Sequence, residues 1–160
     1  MKKFVSALLC VLLLCSCSSK TVTPQLTDIA FTAEMSWFNE SFTFEGELDG
    51  EGGLVAKMTE PEEIKDLVLT LKEGKMTADY KGFVYSPAEG SLPFSSLLED
   101  FYAPLERIRK EGLKANGEGE LSGKIGENEY TLILSPTGLP QKLTMLGGNF
   151  TVRFLKVRCK

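Results

Sequence analysis

Three glutamates, Glu60, Glu62 and Glu63, crowd around Pro61 and form the best acidic cluster of the chain. Paired carboxylates are the machinery of glycoside hydrolysis, one as acid and one as base or nucleophile. Neighbouring glutamates on a polar loop are ordinarily solvated charge, and that is the reading adopted for these three. Asp49 and Glu51 flank Gly50 and could hold a calcium ion weakly, but the loop lacks EF-hand spacing. Histidine is absent from the sequence, which removes the commonest general base and the commonest metal ligand. No Ser-x-x-Lys or Gly-x-Ser-x-Gly stands ready to activate a serine, and Gly50-Glu51-Gly52-Gly53 lacks the Lys-Ser/Thr of a P-loop. The expectation is a protein without catalytic residues, metal or cofactor.

The cysteines carry a different chemistry. Lys2 and Lys3 precede an apolar run, Phe4 to Leu14, broken only by Ser6. It is too short to span a bilayer and has the length of a signal peptide. It ends in Leu14-Cys15-Ser16-Cys17, which resembles the lipobox of bacterial lipoprotein precursors. The resemblance implies cleavage between Ser16 and Cys17, diacylglycerol on the Cys17 thiol and fatty acylation of the new N-terminus. Several acyl chains on one residue anchor stably where one would not. Residues 1–16 are then the signal peptide, 17–28 the lipidated cysteine and a flexible polar tether, and 29–160 a single domain. Fully extended, the tether could hold the domain about 30 Å from the membrane. The implied location is the bacterial cell envelope, on the extracytoplasmic face of a membrane. With Ser18 rather than Asp after Cys17, this is the outer membrane where the source has one. Cys10 and Cys15 leave with the signal, so Cys159 alone remains and no intrachain disulfide can form.

Losing residues 1–16 removes two lysines and no acid, moving the formal net charge from −4 to −6. That balance argues against nucleic acid and against a polybasic membrane-binding surface.

The elements that must make the domain alternate cleanly. Ile29, Phe31, Ala33, Met35 and Trp37 occupy every second position, as do Phe42, Phe44, Gly46 and Leu48, the pattern of half-buried strands. Further strands are expected over Leu54–Thr59, Leu67–Leu71 and Met76–Tyr85, the last bent at Lys81-Gly82. Leu113–Ser122, Tyr130–Leu134, Leu139–Leu146 and Phe150–Val157 complete a count of about nine. Leu155 and Val157 break the alternation and imply a bulge. Short turns such as Asp49–Gly53 and Gly147-Gly148-Asn149 make the sheet an antiparallel meander. Between the two blocks Phe94, Leu97, Leu98, Phe101, Tyr102, Leu105 and Ile108 recur at steps of three and four, one face of a helix. Gly112 is the expected C′ residue, and Pro104 predicts a kink, or two short helices meeting at Ala103-Pro104.

A lipid-anchored antiparallel sheet with a helical segment mid-chain resembles the LolA/LolB-like fold of lipoprotein localisation factors. The stretch Met58–Leu67, with Pro61 and Ile64 between two strands, Leu69–Met76 and Asp79-Tyr80-Lys81-Gly82-Phe83 carry the likeness. The resemblance implies an α+β architecture, with a curved antiparallel sheet forming an unclosed β-barrel whose concave face the helix covers. It also implies an apolar interior. The expected function is binding of an apolar ligand, a lipid or acyl chain, between sheet and helix. Trp37, Phe42, Phe44, Leu97, Leu98, Phe101 and Leu105 are the candidate lining. The alternative is an anchored scaffold with a filled core that docks an envelope protein.

Overall fold

The computed structural model describes residues 20–86, 93–147 and 149–160. The expected signal peptide, Cys17, the side chain of Phe94 and Gly148 lie outside the described residues. Those residues contain ten strands and one α-helix. The strands are β1 (Ile29–Trp37), β2 (Glu40–Leu48), β3 (Leu54–Glu60), β4 (Val68–Lys72), β5 (Lys75–Tyr80), β6 (Phe83–Tyr85), β7 (Glu120–Ile125), β8 (Asn128–Leu134), β9 (Pro140–Met145) and β10 (Phe150–Cys159). Helix α1 (Pro93–Glu111) lies between β6 and β7.

All ten strands form one antiparallel sheet in the order β6-β5-β4-β3-β2-β1-β10-β9-β8-β7. The chain walks outward from β1 to one edge, runs through α1, and walks back from the other edge until β10 pairs with β1, placing Ile29 against Cys159. Among the described residues the edges β6 and β7 do not pair, so the sheet is open. Helix α1 reaches both the sheet centre, through Phe101, and the β7 edge, where Arg107 donates to the Lys124 carbonyl. The helix thus lies against the sheet from its centre to the β7 edge.

The strand count is ten rather than nine, because Lys81-Gly82 reverses the chain instead of bending it. Both residues have positive φ, 54° and 86°, the signature of a two-residue hairpin turn whose twist matches its strands. The Asp79 carboxylate accepts the Gly82 N–H at 3.0 Å, and Phe83, Val84 and Tyr85 pair back onto Tyr80, Asp79 and Ala78. Strand β7 also departs from its expected span, starting at Glu120. Residues 113–119 instead form a loop in which Ala115 bridges to Val22. The bulge in β10 is present: Thr32 faces Lys156 and Ala33 faces Phe154, leaving Leu155 over. It keeps Phe154 and Val157 both on the face of Ile29, Phe31 and Ala33, while Leu155 is left outside at 56% exposure.

Helix α1 runs through Pro104 as one element, not as two meeting at Ala103-Pro104. Leu97, Leu98, Phe101, Tyr102, Leu105 and Ile108 on its apolar face are all buried, which outweighs the single backbone bond that a proline removes. Its end is a Schellman motif. The Leu113 N–H reaches the Ile108 carbonyl at 3.1 Å, the Gly112 N–H reaches Arg109 at 3.3 Å, and Gly112 takes φ +61°.

Residues 20–28, the latter part of the stretch read as a tether, lie against the domain. Val22 and Ala115 exchange backbone hydrogen bonds at 3.1 and 2.9 Å, and the Gln25 N–H donates to Gly138 at 2.8 Å. Leu26 is buried in the common core, and the Asp28 carbonyl accepts the Lys160 N–H at 2.7 Å. Val22 and Leu26 are the apolar residues of this polar segment, and both are drawn into contact. We call residues 20–28 the strap.

Candidate functional site: the interface of sheet and helix

The interface is built on three neighbouring strands. Phe31 on β1, Phe44 on β2 and Phe154 on β10 share a face, because opposed residues of an antiparallel pair point the same way. Phe101 of α1 descends into this group. Its ring centroid lies 5.8 Å from Phe44, 6.1 Å from Phe154 and 6.3 Å from Phe31, the separations of touching aromatic rings. Phe31 in turn lies 5.1 Å from Phe154 and 6.1 Å from Phe44, both edge to face. The Phe31 ring also covers Gly46, where the β2 backbone offers a flat site with no side chain.

The seven lining candidates divide into two groups. Phe44, Leu97, Leu98, Phe101 and Leu105 are buried together in the core. Trp37 and Phe42 are only partly buried against it, opposite each other's neighbours near the β1–β2 turn. Phe31 and Phe154 complete the ring cluster and were not among the candidates. Their alternation marked them as core, but nothing local to either strand shows that the helix would land on them.

A second connection joins α1 to the β2–β3 turn, and sequence reasoning missed it. The Tyr102 hydroxyl donates to the Gly52 carbonyl, and Arg109, two turns on and on the same side of the helix, donates to the Glu51 carbonyl at 3.3 Å. Gly52 has φ +93°, and the Arg109 guanidinium fills the space a Cβ would need. Asp49 holds the turn in shape, its carboxylate accepting the N–H groups of Gly53 at 2.6 Å and Glu51 at 3.0 Å. The available signal was a tyrosine on an apolar helix face, whose hydroxyl needs a partner once buried. Burial pushes the Tyr102 hydroxyl pKa up to about 12. Tyr102→Phe should cost about 1–2 kcal/mol, because it leaves the Gly52 carbonyl without that donor. Urea unfolding checks this, and an unchanged midpoint would show that the bond contributes nothing.

The Asp49 carboxyl is held below the usual aspartate range, chiefly by the Gly53 N–H, against a smaller opposing effect of burial. With a folded value below the unfolded one, Asp49 stabilises the turn above its unfolded pKa. That stabilisation is lost as pH falls through the folded value. Asp49→Asn should therefore show a smaller fall in unfolding midpoint than the parent between about pH 6 and pH 2. Parallel curves for the two proteins would contradict this.

The glutamate cluster is spread over the surface. Glu60 accepts from the Thr43 hydroxyl at 3.1 Å, Glu62 pairs with Lys65 at 3.1 Å, and Glu63 is exposed. Of Asp49 and Glu51, the first holds the turn N–H groups and the second pairs with Lys72 at 2.9 Å. Among the described residues no group of three His, Cys, Asp or Glu could hold a metal ion. Cys159 is exposed at the end of β10.

Two open ends frame the sheet. The strap, the C-terminus and the β2–β3, β4–β5 and β8–β9 turns lie at one end. The β1–β2, β5–β6, β7–β8 and β9–β10 turns and the Pro61–Leu67 connection form a rim at the other. Three exposed apolar side chains stand at that end: Phe38 at 69%, Leu146 at 60%, and Phe83 at 81%. A concavity of about 320 Å³ is lined by Ala30, Phe31, Thr32, Gly46 and Val157 among others, and one of about 380 Å³ lies beside Lys20 and Gly117.

No protein-family model matches the chain, and no curated protein matches it. Among solved structures it is similar to the LolA superfamily protein NE2245 from Nitrosomonas europaea. The two are 6% identical, the alignment covers 89% of this chain and 87% of that one, and the TM-score is 0.39.

Proposed function

We propose that the chain is a lipid-anchored module of the bacterial cell envelope. In this reading an acylated Cys17 holds it on the extracytoplasmic face of a membrane, and it works by docking a protein partner. One observation carries the choice of docking over ligand carriage. Phe101 meets Phe31, Phe44 and Phe154 directly, so side chains already occupy the centre of the interface where a ligand was expected. The rim offers Phe38, Leu146 and Phe83 to a partner, and phenylalanine is enriched at protein interfaces relative to the rest of the surface. The test is cross-linking in intact membranes with the full chain and with a Phe38→Ser, Leu146→Ser variant. A discrete adduct that the variant loses is the expected result. Identical adduct patterns, or none, would remove the proposal.

The partial burial of Trp37 and Phe42 favours a second reading. An apolar ligand, a lipid or acyl chain, would enter at that end, and α1 would have to lift from the ring cluster to admit it. Native mass spectrometry of the chain carrying Cys17→Ser separates the two. Protein free of bound lipid fits docking, and a stoichiometric lipid adduct fits carriage.

A further inference from the structure

We infer that the strap fixes which end of the domain meets the membrane: the loops 116–119 and 135–138 face the lipid headgroups, and the apolar rim points away from them. The inference rests on the acylated Cys17 of the proposed function. A free tether would leave orientation open, because its full length could swing the domain through any angle. The strap removes most of that length. From Lys20 onward the backbone is held by the Val22–Ala115 pair and the Gln25–Gly138 bond, and Leu26 is sealed in the core. Lys20 itself lies beside Gly117, Glu118 and Pro136. Between an anchored Cys17 and Lys20 there remain three residue steps, about 10 Å at full extension. Lys20 must therefore lie within about that distance of the bilayer surface, with the loops beside it as the nearest part of the domain.

The rim lies a strand's length away. β9 begins next to the β8–β9 turn at Pro140 and ends beside Leu146. Its six residues span about 20 Å. Phe38, Leu146 and Phe83 have the composition of a membrane-inserting surface, yet they stand at the end of the sheet farthest from the anchor. The strap thus turns an apolar rim that could have been buried in lipid into one presented to the envelope space. Gly138 is the fulcrum. A Cβ there would collide with the Thr23 carbonyl, so the strap fits the β8–β9 turn only because that position is glycine.

The experiment uses the full chain, processed in a bacterial host and reconstituted in phosphatidylcholine vesicles containing a headgroup-nitroxide lipid. Cys159→Ser removes the remaining free thiol and acylation occupies Cys17, so a single introduced cysteine takes the fluorophore. Labels at Thr137→Cys or Glu118→Cys should be quenched several-fold more strongly than one at Glu127→Cys on the rim turn. Inserting a Gly/Ser linker between Ser19 and Lys20 should erase most of that difference. Equal quenching of the three sites in an acylated protein, or stronger quenching at 127, overturns the orientation alone. An intact mass showing an unmodified Cys17 overturns the anchor, and the orientation with it.

Discussion

Phe101→Ala is expected to lower the free energy of unfolding by about 3–5 kcal/mol, the range for deleting a fully buried aromatic ring. Phe101 has no exposed surface and its ring meets all three rings of the sheet centre. The cost should fall in the upper part of that range, because the cavity cannot collapse easily. Phe31, Phe44 and Phe154 are fixed by strand pairing, and α1 is pinned further on by Tyr102 and Arg109. Domains of this size have total stabilities of about 5–15 kcal/mol, so the variant should be marginally folded at best. Urea denaturation followed by far-UV circular dichroism measures the loss. Leu155→Ala, at the exposed bulge, is the control and should shift stability by less than about 0.5 kcal/mol. If Phe101→Ala cost no more than the control, the direct contact of helix and sheet described above would be wrong, and an apolar ligand would have room.

Gly46→Val should be nearly as damaging for the opposite reason. Any Cβ at Gly46 overlaps the edge of the Phe31 ring, which cannot retreat because Phe44, Phe101 and Phe154 close around it. Overpacking of this kind costs about 1–3 kcal/mol, and a rigid ring facing a β-branched side chain belongs at the top of that range. The double variant with Phe31→Leu separates this from any general effect of strand β2. A smaller side chain at position 31 should return part of the lost stability, giving a coupling of about 1 kcal/mol or more between the two sites. Strictly additive effects would mean that the glycine is not there for the ring.

Much of this architecture was legible in residue order, and for local reasons. The alternation Ile29, Phe31, Ala33, Met35, Trp37 reproduces the span of β1 to the residue, and the three-four periodicity that ends at Gly112 marks α1. Where a signal was ambiguous, hydrogen bonding decided. Lys81-Gly82 could bend or reverse a strand, and the Asp79 carboxylate on the Gly82 N–H accompanies reversal. The Leu113–Gly119 segment had strand-like spacing but many glycines. Its isolated bridge goes to Val22 in the strap, a partner that no local pattern could name. Of the lining candidates, Phe44, Leu97, Leu98, Phe101 and Leu105 are buried in the core, and Trp37 and Phe42 only partly so. Whether they enclose space or fill it depends on how near the helix comes, and periodicity carries no distance.

Sequence alone therefore determined most of the elements and their buried faces, the absence of histidine and the lipobox-like start. Side-chain alternation, turn residues and caps act within a few positions along the chain. Tertiary structure alone decided that β10 closes on β1, that Phe101 lands among three rings, that Gly46 makes room for Phe31, and that residues 20–28 bind the domain as a strap. Each of these joins residues far apart in the chain. A pattern of apolar positions states that a side chain must leave water, whereas its partner is set by which surfaces the curved sheet and the returning chain bring within contact distance.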